Sequence, residues 1–517
     1  METTTTTTTT TALTNPLVKI LDKPRHAFTR SDLLTIIRKL EIRTLTFHYT
    51  GWDGKLKELL LPIESIHQAE RLLAQGERVD GSSLFKGLVD AGGSDLYVIP
   101  VYRSAFLNPF LEGSLDFICR FVNRTGELAP YAPDNILLKT AQQLRDKTGF
   151  ELHALGELEF YLISAPDDDL YPAARQSGYH AAAPFVKHKA LVDEMALTMA
   201  RITGAVKYAH GEVGYISSIQ SELAELNGKH AEQFEIEGLL QPIEETADNM
   251  VLGKWLVRNL AARQGVIATF APKLEEGLAG SGLHFHMALK KENQNAMLTP
   301  EQTLSIPAKK LIGGLCYYAA PLSAFGNTVA SSYLRLVKHQ EAPTQICWSD
   351  MNRHALVRVP LGWQQVDNLS DLINPKSESR EHSESRQTVE LRSPDGSAQV
   401  HLLLAGITQA VLAGLTEDNM LAYAEDRYVQ GNFVDDPELS ARLESLPGSC
   451  MEAAQRLRKE RAFFTQSGCF DEAVIDATMS NLEAEQDLDV RDRLQRLSPA
   501  ERQQEIRRIL HKDLHKR

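Results

Sequence analysis

The stretch GELEFYLI, residues 156–163, sets Glu157 and Glu159 two positions apart within a run of large apolar residues. Side chains at i and i+2 of a strand leave from the same face. If 156–163 is a strand, the two carboxylates therefore stand side by side and repel. Something positive must offset them, and hard divalent cations take oxygen ligands. An ExE pair alone is equally what the solvated face of an ordinary strand shows.

Working outward, GSGLHFHMAL (280–289) repeats the pattern with imidazoles. His284 and His286 share one strand face, opposite Leu283, Phe285 and Met287, and the preceding Gly280-Ser281-Gly282 allows close backbone approach to a ligand. TVELRSPDG (388–396) places Glu390 and Arg392 on one strand face, which reads either as an internal ion pair or as part of a site. Glu212 (in HGEVG) and Glu235 (in EQFEIEG) lie between the first two motifs. Arg335 in SYLR, Arg353 after Asn352, and Arg358 supply guanidinium groups suited to phosphate and carboxylate. Glu341 begins the EAP segment.

The bulk properties narrow the setting. A chain of 517 residues exceeds one simple core, so two domains are expected. A formal charge of -13 argues against nucleic acid as the main partner, although a few arginines suffice for one nucleotide. The 5 cysteines form no CxxC pair, which favours free thiols and a cytoplasmic location. No apolar run reaches the ~20 residues that span a bilayer, so no membrane role is expected. Residues 1–30 read as a disordered Thr-rich tail. A helix over 31–40, a hairpin of strands at 43–49 and 57–64, a helix at 65–74, and strands at 96–101 and 114–121 follow. They make a small mixed unit over 31–130, and helices such as 135–147 and 189–202 then alternate with strands through a larger unit, 131–517. The charged C-terminal end reads as an amphipathic helix, either solvated or used in subunit packing.

In order, ExE, HxE, QxE, GSGxHxH, SYxR, EAP, NRxxxxR and ExRxPD resemble the glutamine synthetase family over about residues 33–415. DGSS (80–83) and Ser94-Asp95 match its N-terminal unit, and ATFAPK (268–273) its strand before the glycine loop. The resemblance implies an α+β fold: an N-terminal β-grasp domain and a larger catalytic domain with a curved antiparallel sheet and surrounding helices. It implies ATP and two or more divalent cations, Mg²⁺ or Mn²⁺, as cofactors, and glutamate and ammonia as substrates. It further implies a ring-shaped homo-oligomer, a double ring, with active sites between neighbours. Residue by residue, Glu159, Glu212 and Glu235 match one metal set, and Glu157, His284 and Glu390 the other. His286, Arg353 and Arg358 match nucleotide contacts, while Gly280, Arg335, Arg392 and Asp95 match substrate contacts. Asp80, from the adjacent subunit, together with Glu341 and Arg353, matches catalytic positions.

The chain departs from the family pattern in five places. Ala279 stands for the Asn before the glycine loop, and Ala288 for a hydroxyl residue. The stretch 214–232 is an insertion expected to be helical. The segment 371–387 is expanded, with Thr388 where an Arg contacts nucleotide and Arg386 nearby. Gln399-Val400-His401 replaces Asn-Pro-Tyr, and no tyrosine sits in an adenylylation context. The alternatives are a γ-glutamyl ligase for a larger amine and a catalytically silent relative.

Overall fold

The computed structural model describes residues 11–90, 92, 94–166, 170–173, 175–338, 340, 342–362, 369–374, 385–431 and 433–517. Alternating apolar residues and a Gly54 turn at φ +74° fold the first strands, β1 (Thr44–Thr50) and β2 (Leu56–Pro62), into an antiparallel hairpin. Strands β3 (Glu77–Asp80), β4 (Asp95–Pro100), β5 (Phe106–Leu107) and β6 (Ser114–Val122) complete a sheet of order β2-β1-β6-β4-β3, with β5 beside β6. β1 and β6 run parallel. Helices Arg30–Lys39 and Ile66–Gln75 join a core that includes Leu33, Leu72, Phe47, Phe85, Phe117 and Phe121. This mixed sheet with its covering helices is the β-grasp arrangement.

The larger unit is built on a second sheet. Its strands are β7 (Glu151–Ser164), β8 (Val206–Ile216), β9 (His230–Gly238), β10 (Gln241–Pro242), β11 (Ile267–Thr269), β12 (Leu283–Lys291), β13 (Gln294–Asn295), β14 (Trp348–Asp350), β15 (Val357–Val359) and β16 (Val389–Leu391). The order is β14-β15-β16-β12-β7-β9-β8, antiparallel except at β14/β15, with β10 and β11 on β7 and β13 on β12. One face of β7, β9 and β12 presents Leu158, Phe160, Leu162, Phe234, Ile236, Phe285 and Met287 to a single apolar core. Helices Pro133–Thr148, Ile243–Arg263, Ile306–Tyr317 and Val400–Thr416 pack into it. Strict period-2 alternation thereby sends the polar residues of the same strands to the opposite face. No single helix among the described residues is long and apolar enough to cross a membrane.

Three expectations are corrected. The tail is not unstructured through residue 30: Pro16–Leu21 is helical and Leu17 is fully buried. Asn15 caps that helix, and its Nδ2 reaches the carbonyls of Ala105 and Ile202 at 3.3 Å each. The Thr run masked a short start signal, Asn then Pro ahead of LVKIL. The insertion is not helical either; residues 217–229 extend the β8–β9 hairpin. Ile219 N–H donates to Lys229 O (2.7 Å) and Gly228 N–H to Ile219 O (2.8 Å), and Asn227-Gly228 makes a local turn, with Gly228 at φ +78° and Lys229 N–H donating to Leu226 O (3.1 Å). Finally, the C-terminal helix Pro499–His511 is not simply solvated. It buries Ile506, Ile509 and Leu510 against Ala330, Val490 and Leu494, and Arg508 and His511 pair with Glu222 and Ser221 of the insertion.

The two units are joined by a buried ion cluster. Arg120 of β6 lies 2.5 Å from Asp248 of helix Ile243–Arg263 and 3.7 Å from Asp134, and His401 Nε2 is 3.1 Å from Asp248. Although burial pushes the Asp248 carboxyl up, Arg120 and His401 outweigh it and hold it at about 2. A carboxyl depressed in the folded state contributes stability above its unfolded value of about 4, and that contribution fades as pH falls towards 2. Arg120→Met, which strands two buried carboxylates, is expected to lower unfolding stability by about 3–5 kcal/mol at pH 7 in denaturant titration. The gap from wild type should narrow as pH falls below 4; a pH-independent gap would contradict this coupling.

Candidate functional site

The sheet register assembles the site. Across β7/β9, Glu157 lies opposite Glu237 and Glu159 opposite Glu235. Across β12/β7, His284 faces Glu157; across β12/β16, His286 faces Glu390; and across β15/β16, Arg358 faces Glu390. On the outer strand, His210 of β8 faces Glu235. Like charges placed directly opposite on a sheet are destabilising. Here they are collected on one face, along a cavity of about 1000 Å³.

Two groups can be distinguished within it. Glu212 and Glu235 flank His210, whose Nε2 is 3.3 Å from Glu235 Oε1 and Nδ1 3.6 Å from Glu212 Oε1, and Glu159 stands opposite Glu235 across β7/β9. A bulge in β8 between Gly211 and Tyr215 sets the local course of the strand at Glu212. Burial, and then the Glu159 charge, push the Glu212 carboxyl up to about 8; burial and the surrounding carboxylates raise Glu235 as well. The second group is Glu157, His284, His286 and Glu390. Glu157 Oε2 is 2.8 Å from His284 Nδ1, Glu157 Oε1 is 2.8 Å from His286 Nε2, and Glu390 Oε1 is 3.6 Å from His284 Nδ1. Burial opposes the charge on Glu157 and Glu390, but the imidazoles for the first, and Arg392 for the second, keep both below the usual carboxylate range.

The glycine loop is shaped by contact. A Cβ at Gly282 would lie 2.4 Å from His284 Nε2, and one at Gly280 would lie 2.5 Å from Pro272 O. Gly282 N–H donates to Glu159 Oε2 (2.8 Å), and Gln233 Nε2 donates to the same oxygen (3.1 Å). Arg335, fully inside the fold, donates to Ser393 O (2.9 Å) and approaches His284 Nε2 at 3.2 Å. Arg392 pairs with Glu390 and donates to Arg353 O (3.1 Å), while Arg358 pairs with Glu390 at 2.9 Å.

Glu157, Glu159, Glu212, Glu235, Gly280, His284, His286, Arg335, Arg353, Arg358, Glu390 and Arg392 therefore all line one cavity. Asp80 and Asp95 do not; they pair across β3/β4 on the exposed edge of the β-grasp sheet. Glu341 lies outside the described residues, as does much of 371–387. Thr388 holds His286, Oγ1 to Nδ1 at 3.1 Å, and Arg386 lines the same cavity. His401, one of the departures, is used in the Asp248 cluster instead. Sequence reading missed Glu237, His210 and Lys207, which also line the cavity. Glu237 was findable by the i, i+2 rule applied to Glu235; His210 and Lys207 needed the β8–β9 register.

The donor set, carboxylate oxygen with imidazole nitrogen, suits Mg²⁺ or Mn²⁺. The raised carboxyls mark a like-charge cluster that a divalent ion would relieve. Glu235→Gln is accordingly expected to raise the melting temperature of the chelator-treated protein and to blunt the stabilisation by Mn²⁺. That stabilisation is about 2.7 kcal/mol at a hundredfold excess over Kd for one site. A variant that melts lower without metal and responds to Mn²⁺ like wild type would contradict the assignment.

Comparison with known proteins bears on the family and the fold. The family model "Glutamine synthetase, catalytic domain" matches residues 130–501, and "Glutamine synthetase, beta-Grasp domain" matches residues 41–124. A glutamine synthetase of Thermococcus kodakarensis is 30% identical over 424 residues, 81% of this chain and 84% of its own length. One from Escherichia coli K12 is 27% identical over 490 residues, 88% and 95% of the two chains. Among solved structures, a Plasmodium falciparum glutamine synthetase superposes with a TM-score of 0.70 at 20% identity, covering 92% of this chain and 98% of that one. A GmaS–ADP complex superposes at 0.67 and 22% identity, covering 91% and 98%.

Proposed function

The chain belongs to the glutamine synthetase family of ATP-dependent ligases, and on that premise we propose that it joins ammonia to the γ-carboxylate of glutamate, giving glutamine, ADP and phosphate. The observation that carries this reading is the pair of carboxylate–imidazole groups on one sheet face, ringed by Arg335, Arg353, Arg358 and Arg392 in a single cavity.

The chemistry needs that arrangement. A carboxylate is a poor electrophile because its leaving group would be oxide; phosphorylation by ATP makes γ-glutamyl phosphate, whose leaving group is phosphate. The transfer crowds negative charge into a small volume, and preorganised cations are the remedy. Divalent ions held by Glu159, Glu212 and Glu235, and by Glu157, His284 and Glu390, would neutralise phosphoryl and carboxylate oxygens when bound. Arg353 and Arg358 take nucleotide phosphates, with His286 oriented by Thr388 beside them. Arg335 and Arg392 line the cavity beside the glycine loop, where they and Gly280 would contact glutamate.

Asp80 acts from a neighbouring subunit in a ring-shaped homo-oligomer. Its carboxylate accepts from Ser83 Oγ (2.6 Å), Ser82 Oγ (2.7 Å) and Ser82 N–H (2.9 Å), which hold it well below the usual carboxylate range. Such an anion attracts ammonium but is a weak base, so proton acceptance falls to Glu341. Asp95, its cross-strand neighbour, adds to the same negative edge. The 5 cysteines, all free and buried, support a cytoplasmic setting.

A second reading, ligation of a larger amine, is favoured by one observation. Tyr179, Tyr208 and His210 line the cavity beside Glu212, with His210 5.5 Å from each tyrosine ring. Aromatic faces next to a carboxylate suit an alkylammonium.

ATP-dependent phosphate release with glutamate should be stimulated by ammonium above any alkylamine, and Glu159→Ala should reduce it by about a hundred- to a thousandfold, as loss of charge stabilisation does. Stimulation only by alkylamines would install the second reading. Asp80→Asn and Glu159→Ala should each be inactive alone, yet refolded together they should regain activity at mixed interfaces. No recovery would place Asp80 outside the shared site.

A further inference from the structure

The segment leading into the glycine loop is held from outside the cavity. Lys273, Gly277, Leu278, Ala279 and Gly280 line the cavity, and the three residues between Lys273 and Gly277 are bound by the helix Pro499–His511. His511 Nε2 lies 2.9 Å from Leu274 O. A carbonyl oxygen only accepts, so this nitrogen donates. The imidazole is 3% exposed, and its Nδ1 is 3.0 Å from Ser221 Oγ of the insertion. One turn earlier on the same helix face, Arg507 grips Glu275 with two arms, Nε to Oε2 at 3.0 Å and Nη2 to Oε1 at 3.2 Å. Arg502 Nη1 donates to Glu276 Oε2 (2.7 Å). Leu274 and Leu278 share an apolar cluster with Ile219 and Leu226 of the insertion and with Leu514.

We propose that the helix Pro499–His511 is a clamp on the glycine loop, and that His511 and Arg507 are positioning residues for glutamate. Gly277 sits at φ +75°, and a Cβ there would meet no atom within 4 Å, so the turn itself is not fixed by packing. Ala279 brings no polar side chain to the cavity, which leaves the fit to the position of the loop backbone. On the inner side, Tyr161 Oη donates to Ala279 O (2.8 Å) and Gln233 Nε2 to Gly280 O (3.0 Å). The helix supplies the matching restraint on the outer side. A loop restrained at both ends before substrate arrives loses less freedom on binding it, and the gain appears as affinity. The insertion serves as the helix's second anchor, through Glu222 to Arg508 at 3.0 Å and Ser221 to His511.

The inference rests on the reading that glutamate is activated beside this loop, and the test separates the two claims. Glutamate-dependent phosphate release from ATP is measured on the full chain with Mg²⁺ and the amine that stimulates it best. His511→Ala is expected to raise KM for glutamate by roughly tenfold, the scale of one buried hydrogen bond, with KM for ATP changed by less than about twofold. His511→Gln, whose amide nitrogen can reach the same carbonyl, should recover most of the glutamate affinity. Arg507→Glu should raise the same KM by roughly fivefold, and adding Glu275→Arg should reverse the effect. A merely structural role would lower the active fraction, and so kcat, without moving KM for glutamate alone. Unchanged KM for glutamate in both single variants, or KM values for glutamate and ATP that rise together, would overturn the clamp alone. No glutamate-dependent release by wild type would overturn the assigned function, and the clamp with it.

Discussion

Electrostatic repulsion among carboxylates on one face of a sheet is the constraint around which this structure is arranged. Glu157, Glu159, Glu235 and Glu237 are paired like against like across β7 and β9, and Glu212 and Glu390 join them from neighbouring strands. No such face would survive on backbone hydrogen bonds alone. What holds it is the opposite face of the same strands, where Leu158, Phe160, Phe234, Ile236 and Phe285 are completely buried. Burying side chains of that size stabilises by about 1.5–3 kcal/mol each, which outweighs cross-strand repulsion of about 1 kcal/mol or less per pair. The fold thus stores an unfavourable charge arrangement that binding can relieve.

The rest of the molecule serves the placement of that face. Arg335 packs against His284, 3.2 Å from its Nε2, and Gly282 has no room for a side chain. The β-grasp unit is tied to the larger one by the Arg120 cluster, which sets the orientation of the strand edge carrying Asp80 and Asp95. Asp80 lies on an exposed edge away from its own chain's cavity, so the proposed reaction would need it supplied by a second copy.

Much of this was legible in the sequence. Period-2 spacing in GELEFYLI and GSGLHFHMAL gave the strands and the shared faces, because strand geometry converts spacing directly into side-chain direction. Strand pairing was not legible, and with it went the discovery that Glu237 faces Glu157 and His210 faces Glu235. Register depends on tertiary packing, and no residue announces its partner. The insertion 214–232 reads as helical because its centre, SELAELN (221–227), is rich in Glu, Leu and Ala. Its Asn227-Gly228 turn and the hydrogen bonds at Ile219 decide otherwise, showing turn chemistry prevailing over propensity. The first helix was hidden by composition: a threonine run coloured the reading of residues 15–21, although capping and burial follow from Asn15 and Leu17. The C-terminal helix was correctly seen as amphipathic, but its apolar stripe found a partner within the same chain.

The central claim is that the charged face exists to activate a carboxylate as an acyl phosphate. Oxygen transfer tests it most directly. Glutamate labelled with ¹⁸O in its γ-carboxylate is turned over with ATP and ammonium, and the released phosphate is analysed by mass. Activation through γ-glutamyl phosphate predicts one ¹⁸O in each phosphate formed. Phosphate released without label would mean that water, and not the glutamate carboxylate, attacks ATP, and would contradict the account.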